Sequence, residues 1–292
     1  MGPSISVVVP VYNGALTLAD CLRALEAQSI SKSEYEVIVV VDGSTDSSVQ
    51  IAKNYDVYLI EGKKRRGAPA ARNLGIRAAC GEWVAFTDDD CIPSRGWLMS
   101  LLRRVGNDER ALGAAGPTIG YGSHSAPARF VDMTSGFSAQ RHLSHPEFPF
   151  APSANVMYRN SALGMVHGFD ERYSSYEACD LHYRLLRVHS GPFYFEPLAV
   201  VFHRHRTGWR DYWHQQFGYG QGLAEFMLHH RVPWSVWREL CCWGDLATLG
   251  FAACRPGDDD YALMRRGRFV KQFAQRLGFI SKYWNVWERK KW

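Results

Sequence analysis

Residues 83–90 read WVAFTDDD, and that order of residue types decides how the chain folds. Trp83–Thr87 has the apolar, β-branched make-up of a strand buried on both faces. Asp88, Asp89 and Asp90 follow at once, so three carboxylates stand at its C-terminal end. Two earlier stretches have the same form. Ser6–Pro10 is an apolar run stopped by proline, with Tyr12, Asn13 and Gly14 just beyond. Glu36–Val41 is stopped by Asp42-Gly43, and Val57–Ile60 reads as a further short strand. Helical spacing fills the gaps. Ala15, Leu18, Leu22 and Leu25 form one helix. Val49, Ile51, Ala52 and Tyr55 form a second, with Ser44, Thr45 and Asp46 as N-cap candidates. Pro69 opens a third through Ala71, Leu74 and Ala78, with Gly81 after its end. Strands alternating with helices at this spacing predict an α/β fold with a parallel, doubly wound sheet. Ligands of such sheets bind beyond the carboxyl ends of the strands, so Tyr12-Asn13, Asp42 and Asp88–Asp90 are expected to share one site.

Outward from this core the pattern changes. Residues 106–150 are rich in Gly, Ser, Pro and His, and read as irregular structure around a cleft. Order returns with a strand near Asn155–Tyr158, a helix around Glu177–His189 and a strand at Ala199–His203. From Asp211 the chain reads as helical, with Tyr212, Trp213, Phe217, Leu223 and Phe226 as apolar positions. The domain reading is a single domain made of two parts, 1–105 and 106–210, followed by a helical extension over 211–292. No internal repeat is evident. Residues 234–254 include Arg238, Glu239 and Asp245, and the uncharged run Leu246–Cys254 is about half of the ~20 residues that a bilayer requires.

Composition narrows the class. The chain has 292 residues, 46% of them hydrophobic and 22% charged, which excludes a disordered protein. Seven cysteines, two of them adjacent and none in a Cys-x-x-Cys pair, read as reduced thiols rather than a disulfide framework. The start, MGPSISVVVPVYNG, lacks the basic region of a signal peptide, so the expected location is cytoplasmic. The net charge of +5 is uneven: residues 261–292 hold nine Lys or Arg against Glu288 alone, a local +8 that leaves −3 for the rest. In this tail Phe269, Phe273, Leu277, Ile280, Trp284 and Trp287 fall at helical spacing. Two readings stand open: a helix packed on the rest of the chain with a solvated basic face, or a helix lying on an anionic membrane. No motif points to nucleic acid.

The acids carry the chemistry. Asp88 and Asp90 are two apart, so an extended backbone puts both on one side. Such a pair suits Mg²⁺ or Mn²⁺ with diphosphate oxygens completing the shell, but taken in isolation it reads first as a plain solvated turn. A calcium loop is excluded: counted from Asp88, the sixth position is Pro93 and the twelfth Met99. Asp42 fits either a nucleobase or ribose acceptor or ordinary turn chemistry. The Gly-x-Gly-x-x-Gly fingerprint is absent after the first strand, which argues against an NAD or FAD enzyme.

Together, SVVVPVYNGALTLADCLRAL, VIVVVDGSTDSS and GAPAARNLGIRAACGEWVAFTDDDCIP resemble, in order and spacing, the family 2 glycosyltransferases of GT-A fold. PSANVMYRNSALGMVHGFDERYSSYEACDLHYRLL resembles the same family's acceptor-side segment, so the resemblance covers roughly residues 4–205. It implies a Rossmann-like, mostly parallel central sheet flanked by helices, with a C-terminal helical extension. It puts Pro10, Tyr12 and Asp42 at the nucleoside, Arg72 and Asn73 near the donor, and Asp88 and Asp89 at the nucleotide sugar. Asp90 is the implied metal ligand, completed by His203 or His205, with His203 preferred. The family's base position, the first Asp of Glu-Asp-x-Asp-Leu, is Ala178 here. Glu177 and Asp180 share a helix face at i, i+3, so either can serve as base, with Glu177 preferred.

The expected activity is metal-dependent, inverting transfer of a sugar from a nucleotide-diphosphate donor, UDP-sugar by default, to a carbohydrate, lipid-linked or other hydroxyl acceptor. The expected cofactor is Mn²⁺ or Mg²⁺. Two rivals stand beside it. A sugar nucleotidyltransferase needs a Gly-rich basic loop after the first strand, which PVYNGALTL does not supply. A non-catalytic nucleotide-sugar binder is prompted by Ala178.

Overall fold

A computed structural model describes residues 2–289 except 107, 123, 135–137 and 234, and excepting the side chains of 236–241 and 285–289. The chain divides into two compact units. The first comprises Met1–Tyr121, Phe137–Arg172 and Glu177–Arg204; the second comprises Gly122–Gly136, Tyr173–Tyr176 and His205–Trp292.

The first unit is built on strands β1 (Ile5–Val11), β2 (Tyr35–Asp42), β3 (Tyr58–Gly62) and β4 (Trp83–Phe86). Later come β5 (Cys91–Pro93), β6 (Gly113–Ala115), β7 (Thr118–Gly120), β8 (Val156–Arg159), β9 (Phe193–Phe195) and β10 (Val201–His203). Seven of them form one sheet in the order β3-β2-β1-β4-β8-β6-β9. All neighbours pair in parallel except β8, which runs antiparallel to both β4 and β6. The remaining three make a small sheet in the order β5-β10-β7.

Alternation along each central strand splits the core into two layers. Val7, Val9, Val39 and Ala85 face helices α1 (Leu18–Glu26) and α4 (Trp97–Val105). Val8, Ile38, Val40 and Phe86 face α3 (Ala68–Ala78) and α8 (Glu177–Val188). Both faces are therefore covered, which is why these strands read as unbroken apolar runs. Gly75 lets α3 lie close on β1, since a Cβ there would come within 2.3 Å of Val8 Cγ1.

Residues 106–150 are more ordered than their composition predicts. Besides β6 and β7, they form helices of eight residues (Ala126–Met133) and five (Ala139–Leu143), too short to show a helical period. The second predicted helix is also shorter than expected: it covers Ser48–Ala52 and stops before Tyr55.

In the second unit a helix over Trp209–His229 packs on one over Asp260–Arg289, and a third covers Val236–Ala253. Small residues bring the two backbones together, and Phe273 of the predicted aromatic stripe packs edge-on against Trp213, ring centroids 5.6 Å apart. A Cβ on Gly220 would stand 1.9 Å from the Gln275 carbonyl, and one on Gly278 would stand 2.0 Å from that of Phe217. Gly267, Ala274, Gly278 and Phe279 are buried, whereas Ile280 and Trp284 are exposed. Backbones this close leave no space for large side chains at the crossing, so the outer part of the stripe, Ile280 and Trp284, stays exposed. The side chain of Trp287 lies outside the described residues. Among the described residues no helix is long and apolar enough to cross a membrane.

His182, buried on α8, shares a 3.1 Å hydrogen bond with the Tyr158 hydroxyl. Burial lowers its pKa to about 4, below the ~6.5 of an unfolded chain. The stability it contributes is present above pH ~6.5 and is lost as pH falls toward 4. Thermal melts from pH 7 to 5 are expected to show the wild type losing about 2 kcal/mol more than His182→Asn over that range. Equal losses would remove His182 as the source.

Candidate active site

Parallel register fixes where the site lies. Val11 pairs with Val41 and Val8 with Phe86, so Tyr12, Asp42 and the acids after β4 leave the sheet at one edge. Pro10 is buried within β1, opposite Val40. At the end of β2, buried Asp42 accepts hydrogen bonds from the Arg66 amide (2.9 and 3.0 Å) and the Gly67 amide (2.7 Å). It thereby pins the loop that leads into α3.

Of the three residues read as helix caps, Ser44 and Thr45 do other work. Ser44 accepts from the Asn13 amide at 2.9 Å, and the Thr45 amide donates to Asn13 Oδ1 at 2.8 Å. Asp46 accepts from the Ala15 amide at 2.9 Å and, as expected of a cap, from the Ser48 amide at the start of the helix at 3.0 Å. Ser47 is the N-cap and makes no side-chain cap bond. Asn13 holds a left-handed φ of 53°, which turns its amide toward these partners. The loops after β1 and β2 are thus tied to each other.

The aspartates after β4 point three ways. Asp88 takes a 2.8 Å ion pair from Arg72. Asp89 turns to the Thr17 hydroxyl at 3.1 Å, in space that a Cβ on Gly14 would fill. Burial, with Asp90 and Asp88 alongside, pushes its pKa up to about 7. Asp90 meets β10. Antiparallel pairing aligns His203 with Cys91, and His203 Nε2 comes to 3.5 Å from Asp90 Oδ1. Single ligand atoms of Asp90, Cys91 and His203 lie within 4.8 Å of one another. His205 is placed elsewhere, 3.1 Å from Asp132 in the second unit.

This donor set fits a divalent cation of the manganese class. A carboxylate oxygen and an imidazole nitrogen are hard to borderline donors, and they leave positions for phosphate oxygens. Cys91 is the poorer donor. It is a soft thiol among harder donors, and burial, with Asp88 and Asp90 beside it, raises its pKa well above the ordinary value.

Arg72 links the acids to the acceptor-side segment. Its side chain is 4% exposed and spans Asp88 and Glu177, reaching Glu177 Oε1 at 2.9 Å. Burial opposes its charge, but the two carboxylates more than offset that and raise its pKa. Asn73 donates to the Phe169 carbonyl (2.8 Å) and to Glu171 (3.1 Å), and accepts from the Phe169 amide (2.8 Å). Glu171 also pairs with Arg66 at 2.7 Å. Asp180 is fully buried and held by Arg184 at 2.7 Å, one helical turn on. Of the two carboxylates read as base candidates, only Glu177 therefore joins this cluster. Thr17 and Glu171 carry no sequence signal: their partners lie 72 and 98 residues away.

The family model for Glycosyl transferase family 2 matches residues 6–165. This chain belongs to glycosyltransferase family 2. Its relatives include glycosyltransferase AglE of Haloferax volcanii, 42% identical over 92% of this chain and 88% of that protein. The pre-mycofactocin glycosyltransferase of Mycobacterium tuberculosis is 34% identical over 78% of this chain. The chain spans about half, 49%, of that relative's length. Among solved folds, the mannosyltransferase PcManGT of Pyrobaculum calidifontis, in complex with GDP-Man and Mn²⁺, is similar with a TM-score of 0.69. The identity is 18%, over 98% of this chain and 88% of that one. TarS of S. aureus in complex with UDP gives 0.54 at 19% identity, over 98% and 92%. The family's GT-A fold is thus this chain's mostly parallel sheet, and the polar cluster lies at its carboxyl edge.

Asn73→Ala leaves the buried Phe169 amide without its acceptor and is expected to lower unfolding stability by roughly 2 kcal/mol. Urea titration measures this. A change below ~0.5 kcal/mol would mean that Asn73 does not hold the 168–171 turn.

Proposed function

We propose that the protein transfers a sugar from a nucleotide-diphosphate donor to an acceptor hydroxyl, using a divalent cation and inverting the anomeric centre. One observation carries the reading: Asp90 and His203 stand 3.5 Å apart at the sheet edge where Tyr12 and Asp42 also emerge. Asp90 and His203 are the residues that would hold Mn²⁺ or Mg²⁺. That ion, when bound, supplies positive charge opposite the diphosphate leaving group. A similar fold solved with GDP-Man and Mn²⁺, and another with UDP, support a nucleotide donor, with a UDP-sugar as the default.

The chain's own residues do the rest. Breaking the anomeric C–O bond develops oxocarbenium character on the sugar, so the attacking hydroxyl must be held on the opposite face. Glu177 is the proposed base, removing the proton of that hydroxyl, a contribution of typically ~10²–10⁴ in rate. Arg72 fixes the Glu177 carboxylate at 2.9 Å and holds Asp88 with the same guanidinium. Asp180 is not proposed as a base, because it is buried against Arg184 and has no path to an acceptor. A single base acting in a single displacement inverts configuration.

Two measurements test this. In thermal-shift assays UDP with Mn²⁺ is expected to raise the melting temperature, and Asp90→Ala to abolish the metal-dependent part. An unchanged metal response in Asp90→Ala would sink the metal assignment. Glu177→Gln keeps an oxygen for Arg72. It is expected to bind UDP and Mn²⁺ normally while slowing metal-dependent hydrolysis of the UDP-sugar by about 10²-fold or more. Wild-type hydrolysis rates in Glu177→Gln would exclude it as base.

A further inference from the structure

Cys91 opens β5 with its thiol at the same corner as Asp90 and His203, and the proposed reaction does not use it. The backbone fixes this corner. Antiparallel pairing sets Cys91 directly opposite His203, and residues opposite each other in such a pair project from one face. The Arg204 amide donates to the Asp90 carbonyl at 3.0 Å, and the Cys91 amide donates to the Asp88 carbonyl at 3.1 Å. The side chains converge in turn. Cys91 Sγ lies 3.8 Å from Asp90 Oδ1, and His203 Nε2 lies 3.5 Å from the same oxygen. One ligand atom from each of the three residues falls within 4.8 Å of the other two. Oxygen, nitrogen and sulfur ligands of one tetrahedral ion stand roughly 3.3–3.6 Å apart. Two of the three separations are thus already close to that spacing. Cys21, another thiol beside the aspartates, points its Sγ at the Asp88 carbonyl, 3.5 Å away, and is not part of the group.

We infer that Cys91 is a third metal ligand, which makes the Asp90–His203 corner a site for zinc-class ions in competition with Mn²⁺. This rests on the reading of Asp90 and His203 as metal ligands and goes beyond it in the class of ion. One oxygen, one nitrogen and one sulfur donor form a mixed set that suits Zn²⁺ and Co²⁺, whereas Mn²⁺ and Mg²⁺ gain little from sulfur. Cys91 binds such an ion as a thiolate. Its Sγ–H bond gives way to an Sγ–metal bond, and the proton passes to solvent. The two classes of ion differ in what they leave open. Asp90 and His203 alone, on a six-coordinate ion, leave about four positions for diphosphate oxygens and water. Asp90, His203 and Cys91 together, on a tetrahedral ion, leave about one. One position cannot grip two phosphate groups at once. Cys91 therefore makes the chain sensitive to zinc: the ion it favours is the one that holds a nucleotide diphosphate less completely.

The test is optical titration with CoCl₂, a coloured stand-in for zinc, on wild type, Cys91→Ser and Cys91→Ala. A cobalt–thiolate bond adds an intense near-ultraviolet charge-transfer band that oxygen and nitrogen ligands do not give. Wild type is expected to develop this band. Both variants are expected to lose it while still binding Mn²⁺, read from the electron-spin-resonance signal of free manganese. In competition between ZnCl₂ and MnCl₂, the preference for zinc is expected to fall at least about tenfold from wild type to Cys91→Ser. Cys80 and Cys254 are exposed thiols, and a chain carrying Cys80→Ser and Cys254→Ser is expected to keep the band. That chain leaves the buried corner untouched, so it decides the matter even where a change at Cys91 prevents folding. Cobalt bound without the band overturns the inference and leaves the Asp90–His203 reading intact. So does a band that persists in the Cys91 variants or disappears with Cys80 and Cys254, and so does an unchanged zinc preference. Wild type that binds neither Mn²⁺ nor Co²⁺ overturns both.

Discussion

Arg72 carries a full positive charge to a place where only 4% of its side chain meets solvent. An unpaired guanidinium there would be prohibitively unfavourable, so its position depends on Asp88 and Glu177, which lie 16 and 105 residues away in sequence. The dependence runs in both directions. Asp88 is one of three consecutive aspartates, and a cation beside it lowers their mutual repulsion. Glu177 is the first residue of α8, and its bond to Arg72 fixes how that helix enters the cluster. Removing the guanidinium therefore releases the end of β4 and the start of α8 together.

Around this contact the edge of the sheet is assembled by short, specific ties. Asp42 pins the loop into α3, Asn13 joins two strand-end loops, and Asn73 fixes the turn at 168–171. Each tie satisfies a backbone group in a loop that would otherwise be unpaired. The polar residues of the site therefore shape the loops, and Asp90, His203 and Glu177 are the smaller set proposed to act on the metal and the acceptor.

Much of this was legible in the sequence because strand ends are easy to find. Apolar runs broken by Asp42 and by Asp88–Asp90 locate the carboxylates at the end of parallel strands, and parallel strands share an edge. His203 was legible as the end of a later strand. What brings it to Asp90 was not, because β5 is only Cys91–Pro93, too short to show alternation. Glu177 and Asp180 look equivalent by spacing. They differ because Arg184 stands four residues after Asp180 and captures it, whereas Glu177 faces Arg72. The C-terminal stripe shows only part of the packing. Aromatic periodicity marks the face on which Phe273 meets Trp213, but nothing in it shows that Gly220 and Gly278 let the backbones approach. Side-chain pairs across a hundred residues leave no mark in local pattern, and the Arg72 bridge is of that kind.

The most direct measurement is the anomalous scattering of manganese in a crystal of the protein grown with Mn²⁺ and UDP. The account predicts one strong peak in contact with the Asp90 carboxylate and His203 Nε2, with the uracil on Tyr12. A manganese peak remote from Asp90, or UDP bound away from the carboxyl edge of the sheet, would contradict it.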